Sequence, residues 1–151
     1  MDAIRARAWW LLVAISVLIG LFGLSDVAIG ATADPGIPQG LTGRTPAELE
    51  AESELAYRMF DFTSRGQGLL LVAFGVVLTA LLVIPYRRGE PWAWYVAWVL
   101  PAWALAIVGL YAAFGLAPGQ APPPPTVSGP IIALIAAGAL LLDRRRVFRA
   151  S

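Results

Sequence analysis

The sequence predicts an all-α integral membrane protein: a single domain with four transmembrane helices in a bundle plus one outer amphipathic helix. Three observations carry this. Of 151 residues, 58% are hydrophobic and only 14% are charged, above the apolar share of about 45–50% in soluble domains. The apolar residues fall in four long stretches, more than a globule of this size has interior to hide. The arginines gather at alternate boundaries of those stretches, as a membrane topology requires.

The first stretch, residues 9–31, is long enough to cross a hydrocarbon core of about 30 Å. Arg5 and Arg7 before it and Ala28-Ile29-Gly30 at its end also fit a cleaved signal peptide, but the apolar run 9–24 exceeds the usual length of about 7–15 residues. The second, residues 67–86, carries no charge between Arg65 and Arg87. The third, residues 92–116, contains Pro101, which removes a backbone donor and predicts a kink near Ala97. The fourth has an uninterrupted apolar run only from 131 to 142, about 18 Å of helix. It reaches spanning length as 129–147, with Gly129 as N-cap, Pro130 at the first helical position and arginine stems extending to the interface.

Charge placement sets the expected topology. Arg5, Arg7, Arg87, Arg88, Arg144, Arg145, Arg146 and Arg149 would share one side, against Arg44, Arg58 and Arg65 on the other. The positive-inside rule then puts both termini in the cytoplasm of a multi-pass plasma-membrane protein. Trp9, Trp10, Tyr86, Trp92, Trp94 and Tyr95 would form an aromatic belt at that boundary. Trp94 and Trp98, four apart, also have the spacing to stack on a ligand, although anchoring explains them as well.

In the outer segment, residues 32–66, the run 33–43 is rich in glycine and proline and reads as turns with no helix. Thr45-Pro46-Ala47-Glu48 is a capping box that starts a helix over 46–64. Leu49, Leu55, Ala56, Met59, Phe60 and Phe62 share one face of it, and Glu50, Glu54, Arg58 and Asp61 the other. Glu54 with Arg58, and Asp61 with Arg65, are i,i+4 pairs. Glu48, Glu50, Glu52 and Glu54 form an acidic patch, read as a solvated face or as a place for a cation. The expected arrangement lays this helix across the mouth of the bundle, with Gly66 and Gly68 as a hinge into span two.

The chain has no cysteine and no histidine, and every basic residue is arginine. That removes disulfides, thiol and imidazole chemistry, lysine Schiff bases and ordinary zinc or haem ligation. No catalytic set, cofactor or metal site is read from it.

One ionisable residue, Asp26, stands well inside a span, about 24 Å along it and near the outer interface. An acid at that depth needs a partner. The candidate polar cluster is Asp26, Asp61, Arg65 and Gln67, with Arg58 and Tyr57 within reach; it is either a functional site or an ion pair locking spans one and two. A second constellation, Arg87, Arg88, Glu90, Trp92 and Trp94 around a Gly-Pro turn, would contact a lipid head group or a partner, or simply anchor the turn. Small residues at Gly68, Gly75, Thr79, Gly109, Ala113, Ala137 and Gly138 allow close helix packing. Residues 122–125, four prolines within the outer loop 117–128, would be extended.

The length, the four spans and the sequence Ser64-Arg65-Gly66-Gln67-Gly68 followed by Gly75 resemble the small four-helix bacterial membrane proteins called DoxX-like. Some of these are subunits of quinone-linked oxidoreductases, so the resemblance implies an inner-membrane protein with a partner-dependent role. Taken together, the residues favour a non-catalytic accessory subunit or a lipid- or quinone-interacting bundle. The alternatives are a small proton- or cation-linked transporter using Asp26, and a lipid-modifying enzyme using Asp26 or Asp61 with Arg65. Expected partners are membrane lipid and a protein partner or second copy, with no nucleic acid.

Overall fold

Backbone that crosses hydrocarbon must satisfy its own hydrogen bonds, and in the computed structural model the residues described, 8–149, contain helices and no strand. Arg5 and Arg7 lie outside the described residues, as do the side chains of Arg146 and Arg149. The helices are α1 (Ala8–Ile29), α2 (Gly36–Thr42), α3 (Pro46–Glu52), α4 (Glu54–Leu81), α5 (Pro91–Ala97), α6 (Val99–Phe114) and α7 (Pro124–Arg149). A 3-10 turn, Gly30–Thr32, follows α1, and a π turn, Leu82–Tyr86, carries α4 past its last regular residue. Four of these stretches are long and apolar enough to cross a membrane: Ala8–Thr32, Glu54–Tyr86, Pro91–Phe114 and Pro124–Arg145.

The tightest pairing joins α1 to α4, and glycine makes it possible. A Cβ on Gly68 would stand 2.7 Å from the Gly23 carbonyl oxygen, and one on Gly75 would stand 2.7 Å from the Gly20 nitrogen. Beyond these glycines the Ser16 and Thr79 hydroxyls meet at 2.8 Å. On the other side of the bundle α6 packs on α7, where Gly129 lies under the Val108 side chain. The core sits at the end holding the start of α1 and the close of α7, with Leu12, Leu82, Tyr86, Leu100, Leu140 and Val147 all fully buried. This end carries Arg87, Arg88, Arg144 and Arg145 and is called the basic end here; the opposite, loop end carries α2 and α3.

Several elements differ from the sequence expectation, each for a local reason. Residues 33–43 are not all turn, because they hold α2. The Asp34 carboxylate accepts the Gly36 N–H, Pro35 presets the helical φ, and Pro38 lies in the first turn, where no donor is needed. Gly43, at φ 75°, then closes the helix. The outer helix 46–64 is broken at Ser53, whose N–H bonds the Leu49 carbonyl to end α3 and whose hydroxyl accepts the Ala56 N–H to start α4. Its capping box is present, with Thr45 and Glu48 bonded reciprocally, and those bonds from the Thr45 backbone and hydroxyl hold the Glu48 carboxyl below its usual range.

There is no hinge at Gly66 and Gly68, since α4 runs unbroken through both and Gly68 is small because α1 lies against it. The helix that carries span two therefore begins at Glu54 rather than 67. Span three divides at Trp98, three residues before Pro101. The fourth helix begins at Pro124, not Gly129, because prolines fit a first helical turn. Only Pro122 and Pro123 of that run stay outside the helix, and its 26 residues make a full span of about 39 Å.

Candidate functional site

At the loop end the predicted polar cluster separates into a cap and a cleft. The cap is Asp61 with Arg65. The Arg65 Nε donates to Asp61 Oδ2 at 2.8 Å, while its terminal nitrogens reach the Val27 carbonyl at 2.7 Å, Ala28 at 3.3 Å and Ile29 at 3.4 Å. The other Asp61 oxygen accepts the Ala31 N–H at 2.9 Å. These are carbonyls at the C-terminus of α1, which have no partner inside their own helix, so a guanidinium there is both hydrogen-bonded and favoured by the helix dipole.

Asp26 is thus not the partner of Arg65, as the sequence suggested. Asp61 is one helical turn from Arg65 and takes the fork first. Asp26 instead lines a cleft of about 60 Å³ with Asp34, Ile37, Phe60, Thr63 and Gln67, room for a few water molecules. Tyr57 is half-buried and Arg58 exposed, and among the described residues the anticipated Glu54–Arg58 ion pair is not formed; Arg44 pairs with Glu52 instead, at 2.7 Å. Beneath Asp26 the seam is closed by Gly23 on Gly68 and Gly20 on Gly75.

The basic end holds a buried acid that sequence reasoning missed. Asp143 is fully buried on α7 and accepts the Tyr86 hydroxyl at 3.2 Å. Its position was readable: Ala136, Ala139, Leu140, Asp143 and Val147 recur at helical spacing on one buried face.

Half of the expected aromatic belt is likewise core. Trp9, Tyr86 and Trp94 are buried, while Trp10, Trp92 and Tyr95 face outward. The Trp94 indole donates to the Leu140 carbonyl at 2.9 Å, and its ring meets Tyr95, Trp98 and Phe148 edge to face. Within the second predicted constellation, Trp94 is therefore closed to head groups. Glu90 accepts the Trp92 indole N–H, and Arg87 lies over the Trp9 ring at 5.7 Å, leaving the exposed Arg87, Arg88 and Trp92 at the boundary. Tyr86→Phe is expected to lower stability by about 1–2 kcal/mol by removing a buried donor from a carboxylate, read as a lower Tm in detergent. An unchanged Tm would mean that this hydrogen bond contributes nothing.

Elsewhere a groove of about 500 Å³ lies between the start of α6 and the first half of α7. Trp98, Pro101 and Leu105 form one wall; Pro130, Ala133 and Ala137 form the other. Two prolines, three alanines and larger apolar side chains line it, and the lining is apolar.

Compared with protein-family models, with curated proteins and with solved structures, the chain matches none of them.

Proposed function

We propose that this chain is a non-catalytic accessory protein of the cell membrane, with both termini cytoplasmic, that holds the hydrocarbon or isoprenoid tail of a lipid or quinone for a partner. The observation that carries this reading is the α6–α7 groove, which is apolar throughout and of the volume that ligand pockets have. The residue types agree with it. Without histidine, cysteine or lysine the acids would have to work alone, and Asp61 is engaged in capping α1. The closed seam beneath Asp26 favours this reading over cation transport, because a path needs polar or hydrated space below the acid. The resemblance to DoxX-like proteins points to the same partner-dependent role.

The experiment is native mass spectrometry of the protein released gently from its own membrane, wild type against Ala137→Phe, which fills the groove. Wild type should carry a defined lipid or quinone, with occupancy falling about tenfold in the variant, equivalent to about 1.4 kcal/mol of affinity. Equal occupancy in both proteins overturns the reading.

A further inference from the structure

The stretch Glu54–Tyr86 has 33 residues, about 50 Å of helix. Hiding it all in a 30 Å hydrocarbon core would demand a lean of about 53°, beyond the observed range of about 0–40°. With its other end fixed at the basic boundary beside Arg87, the helix must extend past the membrane at the loop end. Phe60 and Asp61 of the extension face α2 and the end of α1. On its far side Leu55, Met59 and Phe62 stand 75%, 61% and 75% exposed, a row of large apolar side chains outside the lipid that would normally cover them.

Those three residues open a longer pattern. Leu55, Met59, Phe62, Gly66, Leu69, Ala73, Val76 and Ala80 follow alternating steps of four and three, the heptad spacing of a helix-pairing seam. None is charged and none is buried. The same helix shows what such a seam is for. Asp61, Ser64, Gly68, Leu71, Gly75, Leu78 and Leu82 repeat the same steps nearly half a turn away, and α1 lies along that seam on Gly68, Leu71 and Gly75, with the 3-10 turn after it on Asp61. One seam of α4 is therefore filled by a helix, and among the described residues the other is left exposed.

We infer that the second seam of α4 is a self-association surface on which two copies of this chain pair in parallel. Two copies inserted in one membrane share one orientation, so a two-fold axis along the membrane normal sets identical stripes face to face. Gly66, Ala73 and Ala80, seven apart, let the backbones approach within the lipid, where close packing rather than water drives association. Outside the lipid, burial of Leu55, Met59 and Phe62 supplies the hydrophobic term. Large side chains this exposed offer roughly 100–150 Å² each. Over two copies the seam buries on the order of 1,200 Å², above the threshold of about 1,000 Å² for a specific interface. The uncharged seam brings no like charges together. This pairing does not depend on the lipid groove, which lies on α6 and α7.

Because the chain has no cysteine, single introduced cysteines report without background. In native membranes under mild oxidation, Leu55→Cys, Phe62→Cys and Ala73→Cys should form disulfide-linked dimers at least about tenfold faster than Phe114→Cys and Phe22→Cys. Those controls are 79% and 66% exposed on other helices and lie outside the groove. Native mass spectrometry should give two copies for the wild type and one for Met59→Glu/Phe62→Glu, with helical circular dichroism unchanged. Equal cross-linking on and off the seam, a dimer that survives both glutamates, or one chain bound to a different protein would each overturn the inference.

Discussion

Gly75→Val should destabilise the bundle by about 3–4 kcal/mol, seen as a large drop in Tm or in the denaturant midpoint in detergent. The atoms that a Cβ would strike are the Gly20 nitrogen, the Gly20 Cα and the Ser16 carbonyl oxygen, all within 2.8 Å and all backbone. No side chain can turn aside, so α1 must move away from α4. Overpacking alone costs about 1–3 kcal/mol. Separation also breaks the Ser16–Thr79 hydrogen bond, worth about 1 kcal/mol. Gly138→Ala is the control, because a Cβ there meets nothing within 4 Å and alanine is the better helix former by about 1 kcal/mol. A wild-type midpoint for Gly75→Val would mean that α1 and α4 do not approach as described.

Arg65→Met should lower the Tm in detergent, by less than Gly75→Val does, because it removes a charged donor from α1 carbonyls and strands Asp61. The side chain is partly exposed, so solvent screens part of the loss. The informative quantity is the coupling. Arg65→Met and Asp61→Asn should be clearly non-additive in Tm, whereas Arg65→Met and Asp26→Asn should add. Strong coupling to Asp26 would restore the pairing that the sequence suggested and refute the cap.

What could be read from the sequence was whatever a short stretch decides for itself. Four apolar stretches announce four helices long and apolar enough to cross a membrane, Pro101 marks the break at Trp98, and Thr45 with Glu48 forms its capping box from residues three apart. Where the outcome depended on what lies opposite, the residues were ambiguous. Gly68 has the composition of a hinge, and only the presence of Gly23 across the seam makes it a packing position. Arg65 had two carboxylates in reach, and the one on its own helix prevailed. Asp143 stands next to a run of arginines, and only the buried face it shares with Ala136, Ala139, Leu140 and Val147 sets it apart from them. The α6–α7 groove is lined from two helices, with Pro101 and Pro130 standing 29 positions apart, which no local window brings together.

The cap on α1 also has a timetable. Its carbonyls at residues 27–29 are met by an arginine 36 to 38 positions later. At a synthesis rate of about 5–20 residues per second, the first helix exists for roughly 2–8 s before the group that finishes it has been made. Through that interval its end relies on borrowed partners, such as water or lipid head groups. The smallest piece of this protein that can settle in a membrane with its backbone complete is therefore the hairpin of α1 and α4, and not the leading helix alone.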